Sequence, residues 1–459
     1  MNRKKGDDEN MSVYNGQRLP AEIFKIDTER MRKGWYSDAY FLNIVKILET
    51  LSEEDYGFEG TSDLQDIPED KLAQVKNGDI VVEMQFFTRR KPYSLVAGVD
   101  EALTILQECT GYYDDMGDFV NMYHTLEIEV VEDGTFVKYD GNPLGVQPVL
   151  KVRGIYRYFA LLETPILGAL SEASRVATNV FNVLKAAKGK DILFFPARFV
   201  HYKMQALHGY AYSLAVQGYN EKYGKTSNTF VSTDDQGDWW GGKAGGTIAH
   251  ASIAAFLGDT AETMMQFSRI MPVEVPRIAL VDYHNDCLGD TLEVMKRMFN
   301  KYWNLLKEGQ QEEAQKYQLF GVRPDTSGNM RDVSIPPLGD KKLDCGVNPR
   351  LIWALRNAIN EAFKQWDIPF EAIQVAKEWC HGIRIVVTGG FNTKKITMFE
   401  ELGVPVDIYG VGSSLLENSD ETNNDYTSDI VRVKLDDTWV EVHKVGRGPC
   451  DNPNLERIQ

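Results

Sequence analysis

Residues 384–412 read RIVVTGGFNTKKITMFEELGVPVDIYGVG. A short apolar run stands at each end, and each run closes on glycines, with enough chain between them for a helix. Continuous apolar runs without in/out alternation suit strands buried on both faces of a parallel sheet. Parallel strands in turn need a crossover, usually helical. The same unit recurs toward the N-terminus as DILFF (191–195), TFVST (229–233), IALVD (278–282) and FGVRPD (320–325). One intervening segment, TLEVMKRMFNKYWNLLKEG, places Met295, Met298, Phe299, Tyr302 and Leu306 on one helical stripe, which is core packing. Strand–helix alternation on this scale predicts an α/β class, as a (β/α) barrel or a doubly wound sheet.

The runs share a second property, which favours a barrel with its site at the strand C-termini. Arg198 follows the first and Thr233-Asp234-Asp235 the second, while Asp282 closes the third. Arg323 and Asp325 end the fourth, Gly389-Gly390 the fifth, and Gly410 and Gly412 the last. Chemistry collects at this face of parallel strands, and glycine-rich late loops bind phosphate through backbone N–H groups. Singly, aspartates cap helices and glycines make turns; together in register they mark a functional face. Arg323 offers a charge-assisted bond to phosphate and Asp325 an acceptor for sugar hydroxyls. Asp282 and Asp286 either hold Mg²⁺ on a polyphosphate or, for Asp286, begin the next helix. His250, in GGTIAHASIAAF, lies just after GDWWGGKAGG, which reads as a mobile loop able to open beside it.

The rest of the chain is organised differently. Residues 1–20 read as a loose arm. YSDAYFLNIVKILETL (36–51) has helical spacing, with Tyr40, Ile44, Ile47 and Leu48 on one stripe. IVVEMQFFTRR and TLEIEVV (125–131) read as strands with a helix over about 98–108 between them, and DGTFVKYDGNP as a hairpin.

Composition sets limits. With 50 Lys and Arg against 67 Asp and Glu the net charge is −17, which opposes binding of nucleic acid or anionic membranes. Hydrophobic residues at 43% exclude whole-chain disorder. Five scattered cysteines without a CxxC pair fit a reducing compartment, and no secretory signal or run of about 18 apolar residues occurs, so a cytoplasmic protein is expected. HExxH, Walker A and GxSxG motifs are absent.

The ordered series ALLETPILGALSEASRVAT (160–178), PARFVH (196–201), STDD (232–235), GGTIAHA (245–251), ALVDYHND (279–286), GVRPDTSG (321–328), VVTGGFN (386–392) and DIYGVGSSL (407–415) resembles nicotinate phosphoribosyltransferases. YSDAYFLNIVKIL and VEMQFFTRR at the front, and YTSDIVRV and HKVGR at the end, extend the resemblance over nearly the whole chain.

The resemblance implies a type II phosphoribosyltransferase. It implies an irregular (β/α) barrel over 156–422 and an N-terminal α/β sandwich domain over 21–155, completed by the C-terminal segment 423–459. It also implies a homodimer with interface active sites. The reaction implied is nicotinate plus phosphoribosyl pyrophosphate giving nicotinate mononucleotide and pyrophosphate, in NAD biosynthesis, with Mg²⁺ and with ATP as co-substrate.

By the same resemblance His250 is phosphorylated by ATP. Arg323 and Asp325 contact the ribose and phosphate, and Gly389, Gly390, Gly410 and Gly412 cradle the 5′-phosphate. Asp282 lies near pyrophosphate and Mg²⁺. Phe195 stacks the pyridine, with Tyr40 from a second subunit on its other face. Arg198 sits by the base, and Thr233 and Asp234 (or Asp235) lie next to the ring. In Phe195-Pro196-Ala197-Arg198-Phe199 the family's second arginine is missing, which keeps nicotinamide or another pyridine open as the base. The readings from other classes are a phosphosugar-binding barrel lyase or isomerase, which would need a Schiff-base lysine, and a non-catalytic nucleotide sensor.

Overall fold

A computed structural model describes residues 16–62 and 72–459; most of the arm expected over 1–20 lies outside them. The strands are β1 (Val81–Thr88), β2 (Tyr93–Leu95), β3 (Gly111–Tyr113), β4 (Phe119–Asn121), β5 (Glu127–Val130), β6 (Phe136–Lys138), β7 (Leu150–Ile155) and β8 (Ile192–Phe194). There follow β9 (Thr229–Val231), β10 (Ile278–Leu280), β11 (Gly321–Arg323), β12 (Arg384–Val387), β13 (Ile408–Val411), β14 (Tyr426–Leu435), β15 (Thr438–Glu441) and β16 (Glu456–Arg457). The chain divides into two units. The first comprises residues up to Phe181 with Tyr210–Gly218 and Glu417–Gln459, and the second Asn182–Gly209 with Tyr219–Leu416.

The first unit is built on an antiparallel sheet of order β15-β14-β1-β7-β5-β16, so strands from the two ends of the sequence lie side by side. Val82, Met84 and Phe86 of β1 are buried with Ile128, Val152 and the apolar face of helix Val99–Cys109. The opposite face of β1 is also closed. Glu83 is buried between Arg153 (2.5 Å) and Arg432 (2.9 Å), and Gln85 holds the C-terminal segment by donating to the Gly448 carbonyl and accepting from the Cys450 N–H. A buried carboxylate survives only with such partners.

Two local expectations are corrected here. In helix Ala39–Glu53 the buried residues are Phe41, Val45 and Leu48, whereas Tyr40 (61% exposed) and Ile47 (52%) face outward, because the helix is apolar on two sides and only one is covered. The segment read as a hairpin contributes β6, but β6 pairs with β2, some forty residues earlier in the chain.

A buried polar knot closes this unit. Asp133 accepts from the Val99 N–H and the Tyr210 hydroxyl, and Asp100 beside it takes Arg18 (2.7 Å) and the Leu19 N–H. Burial, reinforced by the Asp100 charge, pushes the Asp133 carboxyl well above the usual carboxylate range. The fold therefore retains a proton that the unfolded chain releases near pH ~4. Stability must fall as pH rises through that window, by at most about 1.4 kcal/mol per unit. Asp133→Asn is expected to flatten the decline in Tm between about pH 5 and pH 8; an equally steep decline in the variant would show that Asp133 is ionised in the fold.

The second unit holds six parallel strands in the order β10-β11-β12-β13-β8-β9. Their residues, among them Leu280, Val322, Val386 and Tyr409, are buried as continuous apolar runs should be. The last strand β13 returns to pair with β8. Among the described residues β9 and β10 share no ladder, so hydrogen bonding does not close the sheet into a barrel. That seam falls where residues 232–277 intervene. The stripe on helix Cys287–Lys307 behaves as core, with Met295, Met298 and Phe299 fully buried and Phe299 stacked on Trp366. No helix among the described residues is long and apolar enough to cross a membrane; FALLETPILGALSEA runs into helix Glu163–Ala186.

Candidate functional site

The C-terminal ends of β10, β11 and β12 bring one charged network together. His250 opens the short helix His250–Ala255, and its Nε2 lies 3.1 and 3.2 Å from the two oxygens of Asp282, the second residue past β10. Arg323 ends β11; its Nη2 donates to the Ile248 carbonyl at 3.0 Å and its Nη1 faces Thr388 Oγ1 at 3.4 Å. Thr388, just past β12, donates to Asp325 Oδ1 at 2.7 Å, and Asp325 lies 3.8 Å from the Arg323 guanidinium. Five side chains from four chain segments thus form two contact groups, His250–Asp282 and Arg323–Thr388–Asp325, joined through the Ile248 carbonyl that Arg323 engages.

Electrostatics show what this network lacks. Asp282 is 9% exposed, and burial holds its carboxyl above the usual range, with His250 pulling down and the Asp325 charge pushing up. Burial also lowers the Arg323 guanidinium, against the pull of Asp325 and Asp282. Two carboxylates that feel one another beside one guanidinium form a site that gains from an added cation. Mg²⁺ is held by one or two carboxylates together with substrate phosphates, and Asp282 suits that donor set. Asp286 does not point the same way. Its Oδ1 accepts from the Gly289 N–H and the Ser334 hydroxyl, which makes it the cap of helix Cys287–Lys307, the other of its two expected roles. Among the described residues no group of three or more His, Cys, Asp or Glu side chains could hold a metal by itself.

The glycines separate into two kinds. Gly389 and Gly390 both have positive φ (+91° and +70°), and a Cβ on Gly390 would meet nothing within 4 Å, so this turn is open on its outer side. Successive turn amides of this kind form anion-binding concavities. At Gly410 a Cβ would stand 2.5 Å from Thr388 Cγ2 and 3.1 Å from the Phe195 ring, and at Gly412 it would stand 2.7 Å from Phe199. The missing side chains of this second pair make room for Thr388 and the neighbouring aromatics, whereas Gly389–Gly390 is the open turn.

Around Phe195 the surface is aromatic. Its N–H donates to the Val411 carbonyl, and the exposed Arg198 guanidinium lies 4.9 Å from the Phe199 ring centroid. No ion pair engages Arg198 among the described residues. Thr233 Oγ1 donates to Gln205 (2.7 Å), and Asp234 accepts from the Ala244 N–H, closing the loop 234–244. That loop is packed rather than open: Trp239 and Trp240 are buried, and Trp240 Nε1 donates to the Gln236 carbonyl. Buried indoles anchor what the run of glycines alone suggested was mobile. Tyr40 belongs to the first unit, where it is exposed and donates to Asp38.

Two participants were not anticipated from sequence. Thr388 ties the β11 and β12 ends together. Lys395, in the first turn of helix Thr393–Glu401, sends its Nζ to the Gly389 carbonyl at 3.2 Å. A lysine three positions past the helix-capping Asn392 was the available signal.

No protein-family profile and no curated protein sequence matches the chain. Solved structures do. A nicotinate-nucleotide pyrophosphorylase from Pyrococcus furiosus superposes with a TM-score of 0.59 at 22% identity, over 92% of this chain and 80% of that one. Human nicotinic acid phosphoribosyltransferase gives 0.49 at 16% identity, over 77% and 71%. A nicotinate-nucleotide pyrophosphorylase from Francisella tularensis gives 0.47 at 12% identity, over 91% and 98%. The chain shares the α/β fold of the Pyrococcus structure.

Proposed function

We propose that this chain is a pyridine phosphoribosyltransferase whose substrate base is nicotinate, working in NAD metabolism. The observation that carries the reading is the network His250–Asp282 and Arg323–Asp325–Thr388 beside the open Gly389–Gly390 turn, at the C-terminal ends of adjacent parallel strands. The fold shared with a structure named for nicotinate nucleotide and pyrophosphate supports it.

The transfer asks little covalent work of the protein. Pyrophosphate leaves the sugar C1 as positive charge develops there, so the site must orient the ring nitrogen in line and stabilise the leaving group. The Gly389–Gly390 amides take the 5′-phosphate, Asp325 accepts from the ribose hydroxyls, and Arg323 faces the phosphates. Asp282 is the residue that would hold Mg²⁺, which supplies charge neutralisation to the leaving pyrophosphate. Phe195 orients the pyridine face and excludes water, with Tyr40 of a second copy in a homodimer closing the other side.

The geometry also supports coupling to ATP through His250. Asp282 engages Nε2, which places the lone pair on Nδ1 and makes that nitrogen the nucleophile toward the γ-phosphorus. An N–P bond forms as the P–O bond to ADP breaks, on a ring half exposed and open to the incoming phosphate.

Arg198 is assigned to the nicotinate carboxylate, because its charge is unpaired beside the aromatic floor. Arg198→Gln is expected to raise KM for nicotinate about 10- to 100-fold, the range for a lost charge-assisted bond, while leaving any use of nicotinamide unchanged. Steady-state kinetics with both bases checks it; an equal loss for both would remove Arg198 from base selection. The lyase or isomerase reading finds its nearest candidate in Lys395, whose amine is engaged by the Gly389 carbonyl. Borohydride trapping with a phosphosugar distinguishes the two, and no adduct is expected.

A further inference from the structure

Lys395 is an unusual cation. Its Nζ donates to the Gly389 carbonyl at 3.2 Å and lies 4.1 Å from the centroid of Phe391 and 5.9 Å from that of Phe399. Both rings are buried. No carboxylate pairs with it among the described residues. Glu400, on the same helix, is committed to Lys190 and to the Tyr409 hydroxyl, both at 2.6 Å. Asp325, across the glycine turn, takes the Thr388 hydroxyl and faces Arg323. The ammonium therefore has one carbonyl and two aromatic faces but no counter-charge. Burial alone brings its pKa down to about 8.

This lysine lies directly behind the Gly389–Gly390 turn. The turn's outer side is open at Gly390, and both glycines have positive φ, a turn geometry whose successive amides can form an anion-binding concavity. An anion seated in front would face the amides, with the half-buried cation attached to the carbonyl of the same turn.

We propose that Lys395 is a positioning residue that braces the Gly389–Gly390 turn from behind and becomes fully compensated only when a phosphate monoester dianion occupies the turn. The inference rests on the reading of that turn as the phosphate seat, and it assigns the seat's counter-charge to a residue outside the strand-end motifs. Two consequences follow from linkage. The charged form of Lys395 binds the dianion better, so affinity is fullest below about pH 8 and falls as pH rises through it. The bound ligand in turn raises the lysine's pKa, and binding takes up protons near that pH. The ligand contributes no slope there, because a phosphate monoester is already a dianion above its second pKa of about 6. Arg323, the other cation at this face, remains a guanidinium throughout that window, and any slope from a carboxyl such as Asp282 would persist in a variant that lacks the lysine.

The probe is ribose 5-phosphate, titrated into the full-length protein by calorimetry between about pH 6.5 and pH 9.5. The wild type should lose affinity above about pH 8, with proton uptake measured in buffers of different ionisation heat. Lys395→Met, an apolar replacement of similar length, should bind about 10- to 100-fold more weakly at neutral pH, with a flat profile. Lys395→Arg should restore neutral-pH affinity and remain flat above pH 8, because a guanidinium does not titrate there. A flat wild-type profile, or unchanged affinity in Lys395→Met, overturns the inference and leaves the phosphate seat standing. Failure of the wild type to bind the probe at any pH overturns both.

Discussion

The variant His250→Ala is expected to lose all stimulation by ATP while still releasing pyrophosphate slowly from phosphoribosyl pyrophosphate and nicotinate. The separation arises because His250 touches neither the glycine turn nor the Arg323–Asp325 pair; its one polar partner in the network is Asp282. Without the imidazole no N–P bond can form at this position, so phosphoryl transfer to the protein is lost outright. The fold should tolerate the change. His250 is 48% exposed, and an ion pair with one such partner contributes at most about 1 kcal/mol. Incubation with γ-labelled ATP should yield an acid-labile phosphoprotein in the wild type and none in the variant. Asp282→Asn should slow labelling without abolishing it, since the amide can still meet the ring but carries no charge to favour the right tautomer. ATP stimulation that survives in His250→Ala would remove the histidine from the coupling.

Asp325→Ala carries the second large effect. The carboxylate holds the Thr388 hydroxyl at 2.7 Å and lies 3.8 Å from Arg323, which is only 15% exposed. Truncation removes the proposed acceptor for the ribose hydroxyls, frees Thr388 and leaves Arg323 with Asp282 as its remaining acidic neighbour. Loss of one preorganised polar group at a reacting centre costs about 10²–10³ in rate, and the same loss is expected in kcat/KM. Stability should fall by about 1–3 kcal/mol, the cost of leaving a buried polar group without its partner. Asp325→Asn separates the contributions. It retains an acceptor for Thr388, so the thermal midpoint should recover while kcat/KM stays depressed. Recovery of both would make Asp325 a purely structural link between β11 and β12.

The parallel strands were legible because a strand buried on both faces needs an uninterrupted apolar run, and runs such as RIVV and IALV recur with helix-length chain between them and polar residues or glycines at their ends. The residues that the fold gathers at the candidate site were legible for the same reason: Asp282, Arg323, Asp325 and Gly389 are those at which apolar sequence stops. Phase was harder. Helix 39–53 is apolar on two sides, so spacing alone selected Tyr40 and Ile47 where packing selected Phe41 and Val45. The partner of β6 lies far away in sequence, and local turn residues carry no information about it. Gly410 and Gly412 look like Gly389 and Gly390 in sequence, yet they answer to aromatic neighbours rather than to an open turn. Lys395 was passed over because a lysine in a polar helix start looks solvated, and its place against Phe391 and Phe399 is set by the fold.

A chain of net charge −17 opposes phosphates at long range, so the proposed affinity would rest on local donors: the turn amides, Arg323, Lys395 and an added divalent ion. The most direct test is chromatographic detection of pyridine mononucleotide and pyrophosphate after the purified protein is mixed with phosphoribosyl pyrophosphate, Mg²⁺ and ATP and, in separate reactions, nicotinate, nicotinamide and a pyridine dicarboxylate. Equimolar mononucleotide and pyrophosphate are expected with nicotinate, abolished by chelating the metal. Release of pyrophosphate with none of the three bases would contradict the proposed function.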